Sequence, residues 1–366
     1  MSRVKLGDVA REYKATVKDA SGLPIVGLEH LTPGEITLDR WDEGTENTFT
    51  KEFKKGQMLF GRRRAYLKKA ALAPFDGVCS GDITVIEAIP GKILPDLLPF
   101  IIQNDLLFDY AVGKSAGSLS PRVKWIDLKD YEFELPEIGK QAPMVELLQA
   151  AHAARKAYKE LIQATDDLVK SQFIELVDGA KTLPISEACS SFGRGKSPSY
   201  VSQSSIKVIN QACIYWDGLR LQNVKYQDES KFKAGNRLQV GAVLLNATGT
   251  GTLGRSYIFE ETNGIFMADS HVAVFYPDEN LLLPRFLQVF FSLPTTQANI
   301  YADCVNGSTN QIELSKEKIA LVSVPIPELA KQEQFVEFVQ QSDKSKFELQ
   351  QAIDRIDNLI KTLIQQ

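Results

Sequence analysis

LPEIGKQAPMVELL at 135–148 returns at 326–339 as IPELAKQEQFVEFV. Pro136, Glu137, Lys140, Gln141, Val145 and Glu146 are matched by Pro327, Glu328, Lys331, Gln332, Val336 and Glu337, each pair 191 residues apart. Both copies close a mixed block of sequence and open a long run with helical spacing. The chain therefore reads as two similar halves, each a globular part followed by a helix. At 366 residues it is too long for one ordinary domain and suits two of about 150 residues with extra elements.

Outward from the first copy, residues 1–135 read as a mixed α/β block. VKLGDVARE (4–12) has the pattern of a short amphipathic helix, and LPIVGLEHL (23–31) reads as a strand leading to a polar turn. GQMLFGRRRAYLKKAAL (56–72) predicts strand, basic loop and strand, and GDITVIEAI (81–89) a further strand. PDLLPFIIQNDLLFDY (95–110) has helical spacing despite Pro99, and the polar loop GKSAGSLSPRVKW (113–125) precedes a last strand. The second block repeats this order. KTLPISEA (181–188) answers the first helix, IKVINQACI (206–214) the second stretch, and GAVLLNATGTGTLGRSYIF (241–259) the strand, loop and strand. ADSHVAVFYP (268–277) follows GDITVIEAIP (81–90) at an offset of 187, PRFLQVFFSL (284–293) stands for the helix, and VNGSTNQIELSKEKI (305–319) for the polar loop. Shifting offsets imply loop insertions around a kept core.

Met144, Leu148, Ala151, Tyr158, Ile162, Thr165 and Val169 recur at spacings of three, four or seven, as do Phe335, Val339, Leu349, Ile353, Ile356, Ile360 and Leu363. Spacings of 4-3-4-3 are the heptad pattern. Each run, of about 33 residues, makes a helix on the order of 50 Å long. Two readings fit: amphipathic helices packed on their own blocks, or two helices packed on each other as a rigid spacer, which their equivalent places in the repeat favour.

The net charge of −4 does not by itself suggest a polyanion binder, yet positive charge is concentrated locally. Lys51, Lys54, Lys55, Arg62, Arg63, Arg64, Lys68 and Lys69 face a single acidic residue, Glu52, between 51 and 72. Cys79, Cys189, Cys213 and Cys304 are scattered without a CxxC pair, and the histidines are His30, His152 and His271, which argues against zinc and against a disulfide scaffold. MSRVKLGDVA has no apolar signal region and no run reaches the roughly 18 apolar residues of a membrane span, so a reducing cytoplasm is the expected home.

GTGTLG (249–254) satisfies GxGxxG, but β-prone RSYIF follows where a dinucleotide site needs a helix, so a flexible turn is expected. SSFGRGKSPSY (190–200) ends like a Walker A loop, yet Ser190 stands where its first glycine belongs and Pro198 where its helix would run. As a basic loop, Arg194, Lys196 and Tyr200 suit phosphate contact and stacking, with a solvated surface loop as the alternative. In GRRRAYLKKA (61–70) three arginines offer guanidinium forks for guanine or phosphate, although alternation along a strand keeps them from all pointing one way. For catalysis there is little: no Asn/Asp-Pro-Pro-aromatic tetrapeptide, no motor motifs, no carboxylate cluster of a nuclease, and no evident Ser or Cys partner for His30 or His271. The chain reads as a recognition module.

Variable block, PxxxKQxxxVE segment with helix, and the same again: over essentially its whole length the chain resembles the HsdS-type specificity subunits of Type I restriction-modification systems. The resemblance implies an α+β fold of two similar α/β target recognition domains, 1–140 and 181–328, separated by two long helices, 141–180 and 329–366, packed as an antiparallel coiled coil with an internal pseudo-two-fold repeat. Each domain would read half of a bipartite site on double-stranded DNA. Two methyltransferase subunits would bring S-adenosylmethionine, and two restriction/translocase subunits ATP and Mg. This chain would hold no cofactor or metal, carry no catalysis and touch no membrane.

By matching position, the resemblance implies DNA contacts from Arg62, Arg63, Arg64, Tyr66, Lys68, Lys114, Ser118, Arg122 and Lys124 in the first block. In the second they are Arg194, Lys196, Tyr200, Asn246, Thr248, Thr250, Arg255, Asn306, Ser308, Thr309 and Asn310. Glu29 and His30, matched by Asn210 and Gln211, are further candidates with turn or core-edge roles equally open. Two rival readings are a non-DNA scaffold whose repeated helices assemble partners and a nucleotide-dependent enzyme built on GTGTLG or GKS.

Overall fold

The computed structural model describes residues 2–44, 48–307 and 312–365. The chain divides into two compact units, Met1–Glu160 with Leu349–Gln366, and Leu161–Glu348.

The first unit begins with β1 (Ser2–Lys5), the single turn α1 (Leu6–Val9) and β2 (Ala10–Glu12). The helix expected over 4–12 shrinks to that one turn because sheet bonds claim the backbone on both sides: Val4 is paired with Phe133 and Glu12 with Ile86. Then come β3 (Ile25–Val26), β4 (Lys51–Phe53), β5 (Met58–Gly61), β6 (Ala70–Leu72), β7 (Gly77–Cys79) and β8 (Ile83–Ala88). They build an antiparallel sheet in the order β2-β8-β5-β6 and a second sheet, β3-β7-β4, in which β3 and β7 run parallel.

The spacing read as one helix over 95–110 is realised as α2 (Leu98–Ile102) and α3 (Asp105–Gly113). Pro99 is harmless in the first turn, where its missing N–H has no helical partner. The break falls at Asn104, whose side chain accepts from the Leu106 N–H at 2.9 Å and caps α3. The short α4 (Trp125–Leu128) and β9 (Glu132–Leu135) lead to α5 (Ile138–Val177). Both faces of the four-stranded sheet are covered. Met58, Phe60 and Ile86 join the helices in one core, while Leu59, Ile83 and Val85 meet Val26 and Phe53 in another. That is why its strands read as nearly unbroken apolar runs.

The second unit repeats the plan after the last part of α5. β10 (Thr182–Pro184), α6 (Ile185–Ala188) and β11 (Cys189–Arg194) copy the opening strand, turn and strand. β12 (Tyr200–Val201), β13 (Ile206–Ile209), the hairpin β14 (Ile214–Tyr215) and β15 (Gly218–Leu219), and β16 (Lys225–Gln227) lead to β17 (Val243–Asn246), β18 (Ser256–Ile258), β19 (Ile265–Ala268) and β20 (Val272–Pro277). Helices α7 (Pro284–Ser292) and α8 (Pro294–Asp303), the pair β21 (Val305–Asn306) and β22 (Glu313–Leu314), α9 (Lys316–Ala320) and β23 (Ser323–Pro325) precede α10 (Leu329–Gln365). The order β11-β20-β17-β18 reproduces β2-β8-β5-β6, and the parallel pair β13/β19 reproduces β3/β7.

The two long helices pack together. In the first unit Val145 and Leu148 of α5 share a core with Ile364 of α10, and Arg155 Nη1 donates to Asp357 Oδ1 at 3.2 Å. In the second, the Phe173 ring lies edge-on to Phe335 with centroids 5.5 Å apart, and Lys346 Nζ donates to Asp166 Oδ1 at 2.7 Å. Early residues of one helix meet late residues of the other, so the pairing is antiparallel.

The repeated stretch opens both helices, which start at Ile138 and Leu329, and its glutamine is a buried latch. Gln141, 1% exposed, accepts from the Leu94 N–H at 2.8 Å and donates to the Pro136 carbonyl at 2.9 Å. Gln332, 0% exposed, accepts from the Leu283 N–H at 3.0 Å and donates to the carbonyls of Leu281 and Pro327, both at 2.8 Å. An amide carries donor and acceptor on one short arm, so it can satisfy both polarities of backbone group where the chain enters the helix.

Candidate nucleic-acid interface

In the first unit the basic run bridges β5 and β6. A 3-10 turn, Ala65–Leu67, is flanked by Arg64 at φ 54° and Lys68 at φ 52°. Among the described residues these are the two non-glycines at positive φ. Such a conformation costs about 1–2 kcal/mol per residue and persists where neighbours over-determine it. Here the Arg64 N–H donates to the Pro121 carbonyl at 2.8 Å and the Lys68 N–H to the Ala65 carbonyl at 2.9 Å.

Segment 116–123 pairs with this run. Ala116 and Arg122 exchange backbone bonds of 3.0 and 2.9 Å, and the Val123 N–H donates to the Arg62 carbonyl at 3.0 Å. Arg62, Arg63, Arg64 and Arg122 therefore stand together although the last lies far along the chain. Asp82 ties two of them down. Arg122 donates to Asp82 Oδ1 through Nε at 2.7 Å and to Oδ2 through Nη2 at 3.2 Å. Arg63 reaches Oδ2 through Nη1 at 3.5 Å and gives Nη2 to Ser120 Oγ at 3.1 Å. The Arg122 guanidinium, aided by the charges of Arg63 and Arg62, holds the Asp82 carboxyl below its ordinary range.

The three arginines do not all point one way, but they lie beyond β5, so the left-handed turn at Arg64 and not strand alternation separates them. Arg64 is exposed, Arg63 is turned to Asp82, and the Nε groups of Arg62 and Arg63 are buried without a protein partner. Tyr66 is 54% exposed beside the arginines, while Lys68 is held by Asp105 at 2.6 Å. Lys114 lies over the Tyr110 ring at 5.6 Å, and Ser118 and Lys124 are exposed. Leu119, 90% exposed at the tip of 116–122, had no distinguishing signal in sequence. His30 is a turn residue whose Nδ1 accepts from the Gly27 N–H at 3.0 Å, and the Glu29 carbonyl accepts from Arg40 Nη2 at 3.2 Å.

In the second unit the glycines of GTGTLG adopt positive φ at Gly249, Gly251 and Gly254, and the loop opens β18 instead of a helix, as its β-prone sequel implies. One candidate turns inward and one is held in an ion pair. Asn246, at the end of β17, is fully buried and donates Nδ2 to the Gln211 carbonyl at 3.0 Å, so it positions the neighbouring loop rather than facing solvent. Arg194 is paired with Glu313 and donates to the Leu314 carbonyl at 2.7 Å, which clasps β11 to the segment after β21. Asn210 is likewise buried, capping the turn at Ala212.

Tyr200, Gln211, Thr248 and His271 converge. Thr248 Oγ1 lies 3.1 Å from both Gln211 Oε1 and His271 Nδ1. Tyr200 donates its hydroxyl to Asp269 Oδ2 at 2.6 Å, and Lys225 Nζ stands 4.8 Å from the Tyr200 ring centre. Burial and the Asp269 carboxylate push the Tyr200 phenol well above its usual range. Tyr200, Gln211, Lys225 and His271 line an open cavity of about 720 Å³. Arg255 reaches the Tyr215 ring at 4.9 Å and Arg220 does so at 4.8 Å, a stacked group of which sequence reasoning found only Arg255. Lys196, Thr250 and Asn306 are exposed, and Ser308, Thr309 and Asn310 lie outside the described residues.

These surfaces offer guanidinium forks, an ammonium, amide and hydroxyl groups and aromatic faces, the kit for phosphate contact and base-edge reading. Among the described residues no group of three or more His, Cys, Asp or Glu side chains could hold a metal, and no helix is long and apolar enough to cross a membrane.

Residues 196–357 match the family described as Type I restriction modification DNA specificity domain. Over 135 residues the chain is 25% identical to the Type I restriction enzyme EcoDI specificity subunit of Escherichia coli, covering 36% of this chain and 30% of that protein, less than a third of the relative's length. Two solved structures share the fold. The S subunit of a Type-I restriction-modification system from M. genitalium aligns with a TM-score of 0.55 and 13% identity over 99% of this chain and 96% of that one. A chain from a structure addressing assembly and conformational transition of the type I R-M system aligns with a TM-score of 0.57 and 19% identity, again over 99% and 96%.

Proposed function

We propose that this chain belongs to the Type I restriction-modification specificity subunits and is a DNA-sequence reader that recognises a bipartite, gapped duplex target. The observation that carries the reading is the repeat itself. Two copies of one strand plan present unlike polar surfaces, Arg62–Arg64 with Arg122 in the first and Tyr200, Gln211, Thr248, His271 and Arg255 in the second. Like scaffolds with unlike loops are what two different half-sites require. We assign recognition to 1–140 and 181–328, and the spacer that sets the gap to helical segments 141–180 and 329–366.

The reaction belongs to partners in this reading. Two methyltransferase subunits supply S-adenosylmethionine and two restriction/translocase subunits supply ATP and Mg, in the cytoplasm. Glu137, Lys140 and Glu146 are exposed, as are their copies Glu328, Lys331 and Glu337, which supports docking of one like partner per half. Phosphate contacts from those partners would compensate for the net charge of −4.

Long-read methylation mapping in a host expressing this chain with its methyltransferase tests the reading. A two-part methylated motif is expected, and Arg63→Ala or Arg64→Ala should relax or abolish one half and leave the other intact. Equal binding of gapped and random duplexes by the purified complex at physiological salt would return the scaffold reading instead.

A further inference from the structure

Asp82 and Asp269 lie in the equivalent turns of the two halves, between the strand of the parallel pair and the central strand of the four-stranded sheet, with Asp269 at the place of Ser80 and Asp82 at that of His271. A carboxylate is a poor choice for a surface meant to meet phosphates, yet both halves place one there. Neither is idle. Asp82 is bonded to Arg122 through two nitrogens and to Arg63 through one, while both arginines remain more than a third exposed. Asp269, 5% exposed, receives the Tyr200 hydroxyl at 2.6 Å and the His271 N–H at 2.7 Å.

A free arginine samples many rotamers, and a side chain that must be ordered on binding gives up part of its contact energy to ordering. A carboxylate behind two guanidiniums removes that freedom beforehand and leaves their outer N–H groups available, because each fork carries five donors. Resting on the DNA-reading role above, we infer that Asp82 and Asp269 are positioning residues. Each orders the recognition side chains of its own half, Arg63 and Arg122 in one case and Tyr200 and the His271 segment in the other, and touches no base itself.

The alternative is that Asp82 merely neutralises a basic patch and must let go before DNA binds. The two roles separate by sign. Removing the charge while keeping the shape, Asp82→Asn, raises the net positive charge of the surface, so binding to random duplex should hold or strengthen. Discrimination at the bases read by the first half should fall, by about 5- to 150-fold for each base that an arginine fork no longer grips with both arms.

The test uses the full chain assembled with its methyltransferase, a random-sequence duplex pool and sequencing of the methylated fragments. Asp82→Asn should blur one half of the motif and Asp269→Asn the other, with Asp82→Glu, which retains an acceptor for Arg122, restoring part of the discrimination. Hydrogen exchange over 116–124 reports separately whether the variant remains folded. Unchanged or sharper discrimination in a folded Asp82→Asn variant, or equal blurring of both halves, overturns the positioning role. A wild-type complex that selects no two-part motif overturns the DNA-reading role itself and this inference with it.

Discussion

Replacing Gln332 by leucine removes the latch of the second half while nearly conserving volume, so the effect is one of hydrogen bonding, not of a cavity. The Leu283 N–H loses its acceptor at 3.0 Å, and the Leu281 and Pro327 carbonyls each lose a donor at 2.8 Å. A buried donor left unpaired costs about 1–3 kcal/mol, and each missing carbonyl bond adds about 1 kcal/mol. Local protection should thus fall by about 3 kcal/mol or more, and the Leu283 amide should exchange with solvent at least roughly 100-fold faster. Hydrogen exchange read on peptides covering 280–286 and 91–98 measures this directly. Gln141→Leu should act on the Leu94 amide, whose acceptor at 2.8 Å it removes, and leave Leu283 alone. Gln332→Glu should be worse than leucine, because it turns a carboxylate on two carbonyl oxygens. If both amides stayed within twofold of wild type in the leucine variants, the latch argument would be wrong and the repeated glutamine would owe its place to something else.

Phe173→Ala should destabilise the second unit by about 3–5 kcal/mol in urea melts followed by exchange of that unit, since the ring is 1% exposed among Phe286, Phe290 and Phe335. Thiol titration of the native protein at pH 8 should find essentially no fast-reacting cysteine and four after denaturation, because all four are buried and desolvation pushes Cys79 and Cys189 up to about 12. Asp82, whose carboxyl is held down by Arg122, should contribute stability that is fully present above the unfolded value of about 3.9 and is lost as pH falls through its lower folded value. The stability difference between wild type and Asp82→Asn should therefore be flat above about pH 5 and close in more acid solution. The outcome that would sink this is a difference that grows on acidification.

The run at 61–70 and the stretch 113–125 were each visible in sequence as a basic and a polar loop, whereas their pairing through the Arg64 N–H and the Pro121 carbonyl was not. The Arg194 ion pair was not foreseen because its partner, Glu313, lies 119 residues away and nothing local announces it. Asn246 was misread because a polar residue at the head of a glycine-rich loop looks exposed, whereas the ladder of β17 turns it inward onto the Gln211 carbonyl. Asp82 and Asp269 were missed for a chemical reason, since an acid on a surface proposed to meet DNA looks like a departure until the groups it holds are seen.

Sequence by itself determined the repeat, the identity of most strands and the two long helices, because a period of two or of three and a half is written in neighbouring residues. It also determined that GTGTLG would serve a strand and not a helix. Only the tertiary structure decided that Asn104 and not Pro99 breaks the helix after β8, that the flanks of α1 join two different sheets, and which arginines of a run face outward. It likewise decided what the repeated glutamine at 141 and 332 is for. Those outcomes rest on hydrogen bonds to groups tens of residues distant, and the free energy of such a bond depends on burial and approach that no local stretch contains.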